Sequence, residues 1–395
     1  MSDDNPREGF STRSVHGGER RPKASFSITT PLIQSSTYTF PKTQDLVDFM
    51  EGRVERGEEY GRYGNPTRQE VESRLAALEG AEAGLLFSSG MAAVTTVLLA
   101  MLRSESHVVF TNDCYRKTRQ FAQTVLKKFG IGFDLVDPNV AAIEAALKPN
   151  TTLIFTESPT NPYMSVIDLE KLVTLARARN LKTVIDSTFA TPFNQRPLEF
   201  GVDLVIHSAT KYLGGHNDLL AGVVLGRKGL VSAIKDYQGM LGAVSGPQGC
   251  YLLGRGLKTF ALRMERQNAS GQAIAEFLEK HPKVKRVHYP GLASHPDHAV
   301  AKRQMRGFGG VVSFELAGTL EDCSRFVDAM TIPQIAPSLG GVESLIEQPA
   351  LMSFYELTPE ERARIGIKEN LVRFAIGIED TEDLIRDLRQ ALEHL

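Results

Sequence analysis

Short apolar segments alternate with helical segments between residues 84 and 226. The strand-like segments are nearly continuous in apolar residues: GLLF (84–87), HVVFT (107–111), TLIFTES (152–158), KTVIDS (182–187), DLVIH (203–207) and LAGVVLG (220–226). Helical patterns near 91–102, 116–129 and 169–180 separate several of them. Strands that are apolar on both faces are typical of a parallel sheet covered by helices on both sides. The sequence therefore predicts an α/β domain over residues 65–255.

Different patterns flank this region. Residues 1–64 are rich in Gly, Pro, Ser, Thr and charged residues, which predicts an extended arm with short helical turns that is either disordered or laid over another surface. Residues 256–395 begin with a long helical stretch and then mix strand-like GGVVSFEL and LVRFAIGIE with helices near 319–330 and 381–393. We expect a smaller α+β domain there, since 395 residues are too many for one simple core.

The composition gives no support for a nucleic-acid or membrane partner. The net charge is -2, and no apolar run approaches the roughly 18 residues of a membrane-spanning helix. The polar start MSDDNPREGF lacks the apolar core of a secretory signal. Cys114, Cys250 and Cys323 form no CxxC pair, which fits a reducing compartment. We therefore expect a cytoplasmic protein.

Polar residues follow the predicted strands at the points where the strands end. Ligands bind beyond the carboxyl ends of the strands in an open α/β sheet, so these residues are candidates for a site. They are Ser89, Gly90, Met91, Asn161, Asp186, Ser208, Thr210 and Lys211.

Together these residues match the chemistry of pyridoxal phosphate. A helix that begins after Ser89 can hold a phosphate at its free N–H groups, and Ser208 can donate to the same group. Asp186 can hold a proton on a pyridine nitrogen, and a lysine of lowered pKa can form a Schiff base with an aldehyde. Alone, Lys211 would be a solvated loop residue and Asp186 a helix cap. Their combination, in this order, points to the cofactor.

The segment SATKYLGGHNDLLAG (208–222) resembles the cofactor-lysine motif of the Cys/Met-metabolism family of pyridoxal-phosphate enzymes. Further blocks match that family in order: EYGRYGNPT, SSGMAAV, ESPTNP, IDST, SLGGVES and NLVRFAIGIED. The family includes cystathionine γ-synthases, cystathionine lyases and methionine γ-lyases. The resemblance covers nearly the whole chain. It implies the aspartate-aminotransferase-like fold (fold type I), with a mainly parallel seven-stranded sheet in the large domain, and usually a homotetramer of two tight dimers.

The resemblance also implies roles for the matched residues. Lys211 would bind the cofactor covalently and later move protons, Asp186 would pair with the ring nitrogen, and Tyr115 would stack on the ring. The remaining cofactor contacts would come from Ser89, Gly90, Met91, Asn161, Thr188, Ser208 and Thr210. The phosphate of the neighbouring subunit would be reached by Tyr60, also expected to be catalytic, and Arg62.

Arg373 is the candidate that binds the substrate α-carboxylate, with Ser338 and Asn161 as further substrate contacts. An arginine inside an apolar strand is costly unless it is paired. The nearest carboxylates in the neighbouring sequence are Glu379 and Asp380, several residues away. The resemblance therefore favours a substrate carboxylate as the partner, and an internal ion pair is the alternative.

Two departures from the common family pattern bear on the reaction. The ring-stacking tyrosine, Tyr115, begins the segment YRKT, and Arg119 comes directly after this segment. Pro337 stands where lyases and some synthases carry Glu. Both features resemble the plant-type cystathionine γ-synthases, which use O-phosphohomoserine. We expect Lys117, with Arg116 or Arg119, to bind a phosphate leaving group. The alternative is a solvated helix face.

Several other functions stay open from the sequence. A lyase acting on cystathionine or methionine and an O-acylhomoserine sulfhydrylase share the same residues, and a non-catalytic relative would keep the fold alone. Cys114 is expected to be a packing residue. His207 and His216 have no metal-ligand spacing, so no metal is expected.

Overall fold

The structure, a computed structural model, describes residues 9–19, 21–54 and 58–395. The strands are β1 Ala83–Phe87, β2 His107–Thr111, β3 Gly132–Val136, β4 Thr151–Glu157, β5 Lys182–Asp186, β6 Leu204–Ser208, β7 Gly222–Gly226, β8 Val284–His288, β9 Val311–Leu316, β10 Gln334–Ile335, β11 Leu345–Glu347 and β12 Leu371–Ala375.

The helices lie between these strands and at both ends of the described chain. They are α1 Phe10–His16, α2 Thr43–Met50, α3 Pro66–Glu79, α4 Gly90–Met101, α5 Arg116–Thr124, α6 Val140–Ala145, α7 Leu169–Ala178, α8 Thr191–Asn194, α9 Lys228–Leu241, α10 Pro247–Leu257, α11 Phe260–Glu279, α12 His298–Gln304, α13 Leu320–Ala329, α14 Pro349–Met352, α15 Pro359–Arg364 and α16 Thr381–Glu393.

The larger sheet has seven strands in the order β1-β7-β6-β5-β4-β2-β3. Strands β2 to β6 are parallel, and β7 runs antiparallel to both β1 and β6. The central strands are buried along nearly their whole length, as their continuous apolar sequences predict. The predicted α/β fold with a mainly parallel seven-stranded sheet is confirmed.

Helices cover both faces of this sheet and define two cores. On one face α3, α7 and α10 pack with residues such as Leu75, Leu172 and Leu253. On the other face α4, α5 and α9 contribute their own apolar side chains. Because helices cover both faces of the sheet, a ligand can approach it at the ends of the strands.

The smaller sheet has five strands in the order β10-β11-β12-β9-β8. Its central pairs are antiparallel, and α13 and α16 pack on it around Phe314, Phe326 and Leu388. Helix α11 joins the two units, since Phe260 lies in the core of the larger sheet and Ile274 in that of the smaller. The expected domain bounds 1–64, 65–255 and 256–395 stay predictions.

The described part of the N-terminal arm lies over α3. The Asn65 side chain donates to the carbonyl of Ile33, and the Thr67 hydroxyl donates to that of Pro31. Phe26 and Ile28 nevertheless remain 89% and 86% exposed. Residues 1–8 belong to the polar start that was expected not to be a secretory signal, and they lie outside the described residues. In the described ranges, none of the helices has both the length and the apolar character to span a membrane.

Candidate active site

The neighbouring strands β4, β5 and β6 end at three polar residues, which are Glu157, Asp186 and Ser208. Asp186 pairs in register with Glu157 on β4 and with Ile206 on β6. The Asp186 carboxylate accepts hydrogen bonds from the Thr188 hydroxyl (2.6 Å) and the Thr188 N–H (3.1 Å). The Thr188 hydroxyl in turn accepts from the N–H of Ser208 at 2.8 Å. A hydrogen-bonded chain thus fixes the carboxylate at the strand ends.

Burial raises the pKa of the Asp186 carboxyl, and the bonds from Thr188 oppose that rise. A cation placed against the carboxylate would stabilise its charged form. A protonated ring nitrogen is such a cation, so the environment suits the role that the sequence predicts for Asp186.

The first turn of α4 lies against the loop that carries the lysine. Ser89 caps the helix and accepts from the N–H of Ala92 at 3.0 Å. A Cβ added to Gly90 would lie 2.9 Å from the Cβ of Ser208, and one added to Gly222 would lie 2.2 Å from the Ser89 carbonyl oxygen. Two glycines are therefore needed for this close approach. It leaves the N-terminus of α4 beside Ser208, where a phosphate fits.

Thr210 and Met91 make further contacts around the first turn of α4 and the lysine loop. The Thr210 hydroxyl donates to the carbonyl of Ala221 and accepts from its N–H, at 3.2 and 3.0 Å. The Thr118 hydroxyl lies 3.8 Å from the Met91 sulfur, which ties α4 to α5. The Thr210 hydroxyl is thus already paired with the backbone of the lysine loop.

Lys211 projects from this loop toward the smaller sheet. Its Nζ donates to the Ser338 hydroxyl at 2.7 Å. Burial lowers the pKa of Lys211 to about 8, the Arg373 charge adds to the shift, and the Glu347 charge opposes it. Lys211, Pro337 and Ser338 line a cavity of about 650 Å³. A lysine that loses its proton this readily is suited to nucleophilic and proton-transfer chemistry.

Tyr115 lies at the start of α5 and is 49% exposed. Its backbone N–H donates to Glu157 Oε2 at 2.9 Å. Glu157 is buried, and burial raises the pKa of its carboxyl well above the usual value, with the charges of Asp186 and Asp113 adding to the rise. Glu157 carries no local sequence signal that marks it as a site residue. Only the register of β4 against β5 reveals that it stands beside Asp186.

Arg373 lies inside β12, and two hydrogen-bond acceptors hold its side chain. Its Nη1 donates to Asn161 Oδ1 at 3.0 Å, and its Nη2 donates to the carbonyl of Ser338 at 2.8 Å. Ser338 has a φ of +108°, a strained value for a residue with a side chain. Asn161, Ser338, Lys211 and Arg373 therefore meet at one place, as predicted.

Arg373 has a carboxylate partner inside the protein, as in the internal ion pair that the sequence left as the alternative. Glu347 Oε1 lies 3.1 Å from Arg373 Nη2, because β11 and β12 pair Glu347 directly with Arg373. Glu379 instead accepts hydrogen bonds from Ser344. A cross-strand partner 26 residues away leaves no local signal in the sequence, and only the strand register identifies it.

Other predicted residues are not brought to Lys211 within one chain. Arg62 lies over the rings of Tyr60 and Tyr63 and donates to the Tyr63 hydroxyl. No hydrogen bond or ion pair within the described ranges joins Tyr60 or Arg62 to the cavity. This agrees with the expectation that they serve a neighbouring subunit, which stays a prediction.

The basic residues of α5 point in different directions. Lys117 is exposed and donates to Gln120 at 2.9 Å, so its ammonium can turn toward a ligand. Arg116 lies 3.5 Å from Glu356. Arg119 donates to the carbonyl of Asn112 and is partly buried, so its guanidinium is engaged by the protein. Of the three residues, Lys117 is therefore the best candidate to bind a leaving group.

Two groups beside the site have structural contacts. His207 Nε2 lies 2.9 Å from Glu79, and both side chains are buried. Cys114 is buried, and burial raises the pKa of its thiol well above the usual value, as expected for a packing residue. Among residues 9–19, 21–54 and 58–395, no group of three potential ligands is arranged for a metal ion.

Comparisons with known proteins agree with this geometry. A family model described as Cys/Met metabolism PLP-dependent enzyme matches residues 11–393. Cystathionine gamma-synthase 1, chloroplastic, from Arabidopsis thaliana is 51% identical over 384 residues, 96% of this chain and 68% of the relative. L-methionine gamma-lyase from Pseudomonas putida is 43% identical over 396 residues, 100% of this chain and 99% of the relative. The crystal structure of metB from Corynebacterium glutamicum superposes with a TM-score of 0.91 at 41% identity and covers 99% of both chains.

Proposed function

Because this chain belongs to the Cys/Met metabolism family of pyridoxal-phosphate-dependent enzymes, we propose that it is a cystathionine γ-synthase. In this proposal it replaces the γ-leaving group of an activated L-homoserine with the sulfur of L-cysteine. The cofactor is pyridoxal 5′-phosphate, as in the rest of the family. The observation that carries the choice of reaction is the 51% identity with a plant γ-synthase over nearly the whole chain, against 43% with the methionine γ-lyase.

When bound, the cofactor withdraws electrons from the substrate Cα and so makes its proton acidic. Asp186 would keep the proton on the ring nitrogen, and the N-terminus of α4 at Gly90, together with Ser208, would hold the phosphate. Tyr115 would cover the ring, and its backbone N–H donates to Glu157. Asp186 and Ser208 end their strands, and their hydrogen bonds through Thr188 are already made before any ligand enters.

Arg373 and Lys211 act on the substrate in this proposal. Arg373 binds the α-carboxylate, and Asn161 and Ser338 set its direction. The Lys211 amine, with a pKa of about 8, takes the proton from Cα and later one from Cβ, and both carbons regain a proton before cystathionine leaves. In the net reaction the Cγ–O bond breaks and the oxygen leaves with the electron pair. The cysteine sulfur forms the Cγ–S bond and gives up its proton.

We propose that the leaving group is phosphate and that Lys117 binds it. Lys117 is exposed two residues after Tyr115, and Pro337 lines the cavity without adding a carboxylate that would repel a dianion. Lys117→Ala should raise KM for O-phospho-L-homoserine about tenfold or more and leave KM for O-acetyl-L-homoserine nearly unchanged. Lys127→Ala, an exposed lysine farther along the same segment, is the matched control. Equal effects on both esters would contradict the assignment to Lys117.

Product analysis tests the proposed reaction. The purified holoenzyme is offered O-phospho-, O-succinyl- and O-acetyl-L-homoserine, each with and without L-cysteine, and cystathionine alone. We expect cystathionine from the esters only when cysteine is present, and fastest from the phosphate ester. Release of 2-oxobutanoate from cystathionine, without γ-replacement on any ester, would overturn the proposal.

A γ-lyase is the second candidate function. It is favoured by the likeness to the methionine γ-lyase, which is matched over 99% of its own length. The same residues would then release the γ-substituent of cystathionine or methionine as a thiol, and water would hydrolyse the remaining four-carbon fragment to 2-oxobutanoate and ammonia. The same panel separates the two reactions, since a lyase needs no second substrate.

We also propose that the active enzyme is a homotetramer whose arm crosses to a neighbouring subunit. Phe26, Ile28 and Met50 of the arm are largely exposed, which is costly unless another chain covers them. Tyr60 and Arg62 would then reach the neighbour's phosphate. Sedimentation should give four chains of 43.4 kDa, and Arg62→Ala should weaken cofactor binding although it lies outside its own chain's cavity. A fully active monomer would contradict this arrangement.

A further inference from the structure

Glu347 and Arg373 form a buried pair of opposite charges at the wall of the active site. Glu347 is 2% exposed and Arg373 is 5% exposed, and their closest atoms are 3.1 Å apart. A buried charge is stable only when it is paired, so Arg373 must have a partner before any substrate enters. Glu347 is the carboxylate that the described structure places in that position.

The contact is an ion pair without an aligned hydrogen bond. The Arg373 N–H groups that have partners are directed at Asn161 and at the Ser338 carbonyl. Neither oxygen of Glu347 accepts a hydrogen bond, and the Arg373 Nε also has no hydrogen-bond partner within the described ranges. The direction of the guanidinium is therefore set by Asn161 and Ser338. Glu347 contributes its charge more than its geometry.

We propose that Glu347 is a positioning residue that acts as the resident counter-ion of Arg373 and so limits how tightly the enzyme binds the α-carboxylate of its substrates. The inference rests on the proposed role of Arg373 as the carboxylate-binding residue. A substrate carboxylate and Glu347 share the same cation, and each weakens the attraction of Arg373 for the other. An enzyme that must release an amino-acid product benefits from such a resident competitor.

The same charge also reaches Lys211. Glu347 raises the pKa of Lys211, in opposition to burial and to the Arg373 charge. Replacing Glu347 by a neutral residue of the same size should therefore make the Lys211 amine easier to deprotonate. One carboxylate thus acts on two cations, Arg373 and Lys211.

The test compares two amines that differ only in a carboxylate. L-Norleucine has an α-carboxylate and no γ-leaving group, and n-pentylamine is the same molecule without the carboxylate. Dissociation constants for both are measured from the visible absorbance of the bound cofactor in the holoenzyme. The pentylamine constant divided by the norleucine constant isolates the contribution of the carboxylate.

In Glu347→Gln this ratio should rise at least about fivefold over the unchanged enzyme, because Arg373 loses its resident anion but keeps its two hydrogen-bonding partners. Glu347→Asp keeps the charge and should give a ratio close to the original. Glu315→Gln is the matched control, since Glu315 is a buried, ion-paired carboxylate of the same sheet whose partners are His288 and Lys368. It should leave the ratio unchanged.

The outcomes separate the new inference from the proposed function. An unchanged or lower ratio in folded, cofactor-loaded Glu347→Gln overturns the inference. If that variant does not fold, Glu347→Asp decides, because a shift as large as that expected for Gln would show that geometry and not charge is at work. Arg373→Ala should reduce the ratio in any case, and if it does not, the proposed role of Arg373 fails. Neither arm depends on whether the reaction is γ-replacement or elimination.

Discussion

The two sheets of the molecule build their halves of the active site in different ways. The larger, mainly parallel sheet supplies Asp186, Ser208 and Lys211 from strand ends and the loops that follow them. The smaller sheet supplies Arg373 from within a strand, opposite Glu347 on the neighbouring strand. The first half is an arrangement of hydrogen bonds at the carboxyl ends of central strands, and the second is a buried ion pair between two strands of a sheet.

The two halves of the site should therefore differ in how strongly their function depends on charge. At the strand ends, Asp186 is fixed by Thr188 and Thr188 by the backbone of Ser208, so geometry dominates. In the smaller sheet, Arg373 keeps its direction through Asn161 and Ser338, while Glu347 adds mainly a countercharge. Substitutions in the first half should therefore disturb the cofactor. Substitutions in the second should disturb substrate affinity.

The largest effect is expected at Lys211. Lys211→Ala removes the group that is proposed to bind the cofactor covalently and to move the substrate protons, so kcat should fall by at least about a thousandfold. The visible absorbance of the bound cofactor should change as well. Ser338→Ala, which removes only the hydroxyl that accepts from Lys211, is the control and should retain measurable turnover.

Arg373 tests the other half. Arg373→Ala should raise KM for the amino-acid substrate about a hundredfold, because a charged, two-point hydrogen-bonded contact is lost. Arg373→Lys should recover only part of this, since an ammonium cannot form the paired contact. The cofactor spectrum should stay close to that of the unchanged enzyme. Loss of the cofactor in both variants would mean that the two halves are not separable.

The pKa of Lys211 gives a pH dependence for the larger-sheet half. Because burial lowers this pKa to about 8, the amine is mostly protonated at pH 7 and mostly neutral at pH 9. Only the neutral amine is nucleophilic, so the rate at which the apoenzyme takes up cofactor covalently should rise about tenfold between these two values. Stopped-flow absorbance measures this rate. A rate still rising steeply above pH 9 would place the pKa near its ordinary value.

The smallest effect is expected at Glu157. Glu157→Gln keeps the oxygen that accepts from the Tyr115 N–H, and burial already favours the neutral form of this carboxyl. Turnover should therefore change only a few-fold, and the cofactor absorbance should stay as it is. Glu157→Ala removes the acceptor, and a loss clearly larger than that of the Gln variant is expected. Equal losses would show that the contact to Tyr115 does not matter.

The sequence predicted the strand-end half of the site better than the in-strand half. The strands around Asp186 and Lys211 are long apolar runs that end in polar residues, so the fold and the meeting of these groups follow from local pattern. The strands β3, β8, β10 and β11 were not identified, because β3 and the first part of β8 are exposed or only partly buried and the other two span two and three residues. Without β11, Glu347 could not be paired with Arg373. Glu157 was missed although its strand was predicted, because only the register of β4 against β5 places it beside Asp186.

The arm shows another limit of the sequence. Its polar composition predicts a segment laid on another surface, and its described residues do lie over α3. Whether Tyr60 and Arg62 complete a neighbour's site depends on contacts between chains. No pattern within one chain specifies such contacts.

The most direct test of the account is the partition of one substrate between two products. O-Phospho-L-homoserine is given to the holoenzyme with increasing L-cysteine, and cystathionine, 2-oxobutanoate and phosphate are measured in the same sample. If the enzyme is a γ-synthase, the cystathionine formed should match the phosphate released once cysteine is saturating, and 2-oxobutanoate should fall toward zero. Phosphate release with 2-oxobutanoate as the main product at every cysteine concentration would contradict it and identify the enzyme as a lyase.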